Sequence, residues 1–166
     1  MATHTEPIPV EAPPTWTTDA AKALYNVDGW GAGFFDVNTR GHVVVRPDAE
    51  HPDRELDLYE LANDLEEQGV QLPVLLRFSD ILRSRIELLC ASFTSAIKEY
   101  GYGGQYRGVY PIKVNQNRTV VEEIIEYGRP FHYGLEAGSK PELLAIMAIH
   151  QDDEALIICN GYKDEE

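Results

Sequence analysis

The sequence predicts an α/β protein in which, from residue 73 onward, strands and helices alternate into a parallel sheet. Three observations carry that expectation. Four short apolar runs, at 74–78, 106–114, 131–135 and 155–159, have the length and composition of buried strands. Three helical patterns, at about 80–100, 119–128 and 139–150, fall between them. Capping residues and glycines mark the places where one pattern gives way to the next. Strands joined through helices in one sheet run parallel, with right-handed crossovers.

In chain order, the first 14 residues hold Pro, Thr and Glu but no basic stretch followed by an apolar one. They read as the start of a disordered lead-in over 1–24, not as a secretory signal. Residues 25–70 form a separate N-terminal segment. In it, 30–35 and 42–46 read as short strands around the turn Asn38-Thr39-Arg40-Gly41. Trp30 to Gly33 reads as a tight backbone turn, and Gly31 with Gly33 is too short a glycine pattern to name a phosphate loop. Asp57-Leu58-Tyr59-Glu60 has the form of a capping box opening a helix, and Gly69 ends it.

The 74–78 strand follows, and then a helix with Ser79 as N-cap and Gly101 as stop. Its buried side is expected to carry Ile81, Leu82, Leu89, Phe93 and Ile97, with Cys90 as a small core residue. Thr119-Val120-Val121-Glu122 is expected to cap the helix that ends at Gly128, and Ser139-Lys140-Pro141-Glu142 the one that runs to His150. After 155–159 the chain stops where another helix is due, so 73–166 is expected to be half of a larger unit. Periodicity alone leaves an open doubly wound sheet and half a barrel equally open.

Composition narrows the function. A formal net charge of −14 disfavours nucleic acid and anionic membrane as partners. No apolar run is long enough to span a bilayer. Cys90 and Cys159 lie far apart and have no second Cys or His at ligand spacing, so neither a zinc site nor a disulfide framework is expected. A reducing, cytoplasmic setting is the simpler expectation.

The run Tyr110-Pro111-Ile112-Lys113-Val114-Asn115-Gln116 is the most informative. On a strand, Val109, Pro111, Lys113 and Asn115 share one face, while Tyr110, Ile112 and Val114 share the other. A lysine buried in such a sheet is costly as an ammonium, which favours the neutral, nucleophilic amine used in Schiff bases. A lysine that snorkels out at the strand end is the structural alternative. Pro111 offers no ladder donor, which weakens the regularity of this strand.

The segment Gly108-Val109-Tyr110-Pro111-Ile112-Lys113-Val114-Asn115-Gln116 resembles the pyridoxal-phosphate lysine motif of biosynthetic arginine decarboxylases. Three further blocks fit the same family in the same order: Tyr25-Asn26-Val27-Asp28-Gly29-Trp30-Gly31-Ala32-Gly33-Phe34-Phe35, Gly134-Leu135-Glu136-Ala137-Gly138-Ser139-Lys140, and Ile158-Cys159-Asn160-Gly161-Tyr162-Lys163-Asp164. The resemblance implies the N-terminal portion of a longer enzyme: the first half of a (β/α)₈ barrel, preceded by a short β segment of a second, β-rich domain. It implies pyridoxal 5'-phosphate bound through Lys113 as a Schiff base, and decarboxylation of L-arginine to agmatine in polyamine (putrescine and spermidine) biosynthesis. Lys113 is the catalytic candidate, with Glu136, Ser139 and Asn115 as further cofactor contacts and Asn160 similarly placed. Mg²⁺ and a homo-oligomeric enzyme are implied too, whereas the present chain alone is expected to be inactive. Rival readings are a decarboxylase for another basic amino acid or diaminopimelate, a cofactor-free Schiff-base aldolase, and a non-catalytic remnant that binds a partner.

Overall fold

Asp57 organises the first of two units. The structure, a computed structural model, describes residues 15–48, 51 and 53–161. One unit comprises residues up to 46 with 55–72, and the other comprises 47–54 with everything from 73. In the first, helix α1 (Thr18–Leu24) begins at Thr17, whose hydroxyl accepts from the Ala20 amide at 3.1 Å. The expected disordered lead-in over 1–24 is corrected here: a capped helix occupies its end, and residues 1–14 lie outside the described residues.

Helix α2 (Val27–Gly31) takes up Trp30, whose indole N–H donates to the Tyr25 carbonyl at 3.0 Å. The strand expected at 30–35 therefore starts only at Phe35, after a turn with Ala32 and Gly33 both at positive φ. Strands β1 (Phe35–Val37), β2 (Val43–Val45) and β3 (Leu56–Asp57) form an antiparallel sheet in that order. Val27, Phe34, Val44 and Val45 are its core. Helix α3 (Leu58–Glu67) starts on Asp57, whose Oδ1 accepts from the Tyr59 and Glu60 amides, and ends before Gly69 at φ +87. The other Asp57 oxygen accepts from Asn38, Arg40 and His42, so the nearly buried carboxylate is fully engaged.

The second unit is a parallel sheet, β4 (Val109–Pro111), β5 (Gly134–Ala137) and β6 (Ile157–Cys159), with Pro111, Glu136 and Ile158 in register. Helices α4 (Ser79–Glu99), α5 (Arg118–Gly128) and α6 (Lys140–Ile149) complete it. Two hydrophobic cores meet at Tyr110. Ile112, Val121, Leu135, Ala137 and Ile146 build one, and Ile86, Cys90 and Ile124 the other. Their sheet residues, Tyr110, Leu135 and Ala137, all come from one face. Glu136 therefore points to the opposite face.

Several expected elements are displaced. Residues 74–78 form no strand, although their exposure alternates as a strand's would. The described parallel sheet pairs only β4, β5 and β6, and residues 74–78 make no ladder with it. The 106–114 strand shrinks to three residues, because Pro111 cannot donate and the chain turns into a 3₁₀ helix at Ile112–Val114. The strand expected at 131–135 moves to Gly134–Ala137, because a 3₁₀ turn at Arg129–Phe131 and His132 at φ +48 fill the earlier positions.

Ser79 does not cap α4: Phe78 holds the cap position, and the Ser79 hydroxyl donates to Glu123 on α5. The α5 cap is Asn117, not Thr119. The buried stripe of α4 runs through Leu82, Ile86 and Cys90, while Leu89 and Phe93 are exposed. Ser139 caps α6 and Gly101 (φ +62) follows the end of α4, both as expected.

Candidate active site at the C-terminal end of the parallel sheet

Lys113 stands two residues past β4, at the middle of the 3₁₀ turn, where the strands end. Turning there buries Ile112, at 4% exposed, and leaves Lys113 outward with its side chain 58% exposed. The strand-end alternative thus describes its position, and the buried-ammonium argument does not apply to it. Glu136, on β5, lies in ion-pair range: its Oε1 is 4.0 Å from Lys113 Nζ. The same Oε1 accepts from Asn160 Nδ2 at 3.2 Å. Asn160 follows β6, and its amide donates to the Ala137 carbonyl at 2.8 Å. Three consecutive parallel strands therefore each deliver one polar side chain to a single cluster, because in-register parallel strands end together.

The other two expected site residues have local partners. Asn115 Oδ1 accepts from the Asn117 amide at 3.0 Å, which shapes the turn into α5. Ser139 Oγ accepts from the Glu142 amide at 3.4 Å as the α6 cap. The structure thus brings Lys113, Glu136 and Asn160 together and gives Asn115 and Ser139 backbone duties beside them. A groove of about 500 Å³ runs along α5 and α6. Ser139 lines it, but Lys113, Glu136 and Asn115 do not.

Two features eluded the sequence reading. Glu142 accepts from the Gly138 amide at 2.7 Å and from Gln116 Nε2 at 3.1 Å, a link between separate loops. Its only sequence signal was the glutamate three residues after Ser139. His132 and Asp152 pair at 3.0 Å before β5 and β6, away from the strand ends that hold Lys113. The Glu154 amide, and after it His132, hold the Asp152 carboxyl below the ordinary range. Cys90 is shut into the core and burial pushes its thiol up, which suits a packing residue rather than a nucleophile.

Residues 84–166 match the family model described as the pyridoxal binding domain of pyridoxal-dependent decarboxylases. The chain belongs to this family. Among curated decarboxylases, it is 55% identical over 151 residues to the biosynthetic arginine decarboxylase of Gloeobacter violaceus, covering 91% of this chain and 23% of that one. It is 52% identical over 162 residues to arginine decarboxylase 1 of Oryza sativa subsp. japonica, with the same two coverages. The crystal structure of the biosynthetic arginine decarboxylase from Campylobacter jejuni superposes with a TM-score of 0.76 at 36% identity, covering 84% of this chain and 22% of that one. The chain thus spans about a quarter of the length of these decarboxylases. The parallel sheet corresponds to the N-terminal part of the family's cofactor-binding barrel, and the antiparallel sheet precedes it.

Membership brings pyridoxal phosphate with it, and the residues fit that group. An aldehyde needs an accessible primary amine, and Lys113 presents one at the strand ends, where barrel active sites lie. Among the described residues no group of three or more His, Cys, Asp or Glu side chains could hold a metal ion. Nor is any helix among them long and apolar enough to cross a membrane.

Proposed function

We propose that this chain is the part of an arginine decarboxylase to which pyridoxal phosphate attaches, with Lys113 as the point of attachment. The observation that carries the reading is Lys113 at the end of β4, within 4.0 Å of a carboxylate that Asn160 also engages, in a chain of this family. When bound, pyridoxal phosphate supplies an aldehyde for amines and a ring that takes up the electron pair left by a departing carboxylate.

The protein's own residues divide the remaining work. Lys113 would hold the group through Nζ, the primary amine with which an aldehyde condenses. Glu136, whose Oε1 lies 4.0 Å from Nζ, orients that side chain by ion pairing. Asn160, by donating to Oε1, keeps that carboxylate turned toward Lys113. Asn115 and Ser139 are assigned contacts to the cofactor's polar groups on the strength of the family resemblance alone. The substrate is L-arginine and the product agmatine, the first step toward polyamines. The arginine decarboxylases among the chain's relatives support that choice. A homo-oligomeric, cytoplasmic enzyme completes the reading.

Catalysis is assigned to this segment together with the further length its relatives possess. A chimera in which residues 25–161 replace the matching part of the Gloeobacter violaceus enzyme should release agmatine from arginine, and Lys113→Ala should abolish that release. An alanine chimera as active as the intact one would overturn the assignment. Agmatine formation by the 166-residue chain alone would overturn the claim that the further length is needed.

A further inference from the structure

One carboxylate ties together the two loops that flank Lys113 and Glu136. Glu142, in the first turn of α6, accepts from the Gly138 amide through Oε2 at 2.7 Å and from Gln116 Nε2 through Oε1 at 3.1 Å. Gln116 lies three residues beyond Lys113, and Gly138 lies two beyond Glu136. A glutamate at this helix position ordinarily serves its own turn. Here Ser139 already supplies the cap, so helix α6 does not need the Gln116 contact.

Lys113 does need a constraint of this kind. The β4 ladder ends at Pro111, leaving Lys113 on a three-residue 3₁₀ turn with an exposed side chain. Beyond it, the Tyr110 hydroxyl on β4 donates to the Asn115 carbonyl and Asn115 accepts from Asn117, but both bonds stay within the same βα unit. The Gln116–Glu142 bond instead reaches the next βα unit, 26 residues on. We propose that Gln116 and Glu142 form a clamp that positions Lys113 against Glu136. The proposal rests on the assignment of Lys113 as the attachment residue. Both clamp members act through Lys113 and so are positioning residues. At a separation of 4.0 Å, a drift of about 1 Å breaks the ion pair, and misplacement on that scale slows chemistry steeply.

The test follows the rate at which added pyridoxal phosphate becomes attached to Lys113, trapped by borohydride and located by peptide mass, alongside the thermal midpoint. Gln116→Ala should slow attachment about tenfold, as expected for loss of orientation, and leave the midpoint unchanged. The exchange Gln116→Glu with Glu142→Gln reverses the polarity of the side-chain bond and keeps an acceptor for Gly138, so it should return the rate to near wild type. Attachment by Gln116→Ala at the wild-type rate, or an exchange variant as slow as Gln116→Ala, would overturn the clamp alone. Failure of the wild-type protein to attach the cofactor at Lys113 would overturn the clamp together with the assignment beneath it.

Discussion

Gly134 opens β5 where the chain leading into β6 passes closest: a Cβ placed there would lie 2.0 Å from the Leu156 carbonyl oxygen. Only glycine avoids that overlap, and the obstacle is backbone, which cannot swing aside as a side chain can. Gly134→Ala should therefore destabilise the protein by at least about 2 kcal/mol, read as a lower urea midpoint at unchanged slope. At the same scale, the sequence singles out Lys113 as a candidate, while its surroundings are not legible there. A lone lysine in an apolar run, together with the family resemblance, marks the residue. Whether it is buried depends on where the strand stops, and Pro111 stops it two residues earlier. Glu136 and Asn160 were legible as strand-end polar residues. Their meeting depends on strand register, which no local pattern encodes.

Among the elements, those set by local chemistry were read best. Asp57 and Ser139 were recognised as caps because a short oxygen-bearing side chain before an apolar pattern satisfies the first free amides wherever the helix lies. Gly69 and Gly101 were recognised as stops for a similar reason. For α5 the local signal is ambiguous, because Asn117 and Thr119 are both competent caps and stand two residues apart. The structure gives the role to Asn117, whose Oδ1 accepts from the Val120 amide at 3.4 Å. Asn117→Ala should cost about 1 kcal/mol in thermal or chemical denaturation, whereas Thr119→Ala, inside the helix and exposed, should stay within about 0.5 kcal/mol of wild type. Residues 74–78 show the opposite limit. Their composition and alternation suit a strand, but a strand is defined by its ladder to a neighbour, and 74–78 form none.

At the scale of the whole molecule, the two units can be followed separately, because both tryptophans, Trp16 and Trp30, belong to the first. Burial alone would raise the Asp57 carboxyl. The Glu60 amide, and then His42 and Asn38, outweigh it and bring the carboxyl down to about 2 from an ordinary 3.8. A carboxyl lowered on folding favours the folded unit at every pH above its unfolded value, and that contribution drains away as pH falls through the folded one. Tryptophan fluorescence should therefore show the first unit losing denaturant resistance between about pH 4 and pH 2. Asp57→Asn, which cannot titrate, should flatten the loss over that interval. An equally steep loss in the variant would assign the effect to other carboxylates.

The central claim is that Lys113 is the residue to which the cofactor attaches, and the sequence offers four competitors: Lys22, Lys98, Lys140 and Lys163. The most direct measurement is to incubate the protein with stoichiometric pyridoxal phosphate, reduce with borohydride, and map the modified peptides by mass. The label should fall on the peptide carrying Lys113, with no label there in Lys113→Arg. A label spread evenly over the five lysines, or concentrated on one of the other four, would contradict that claim.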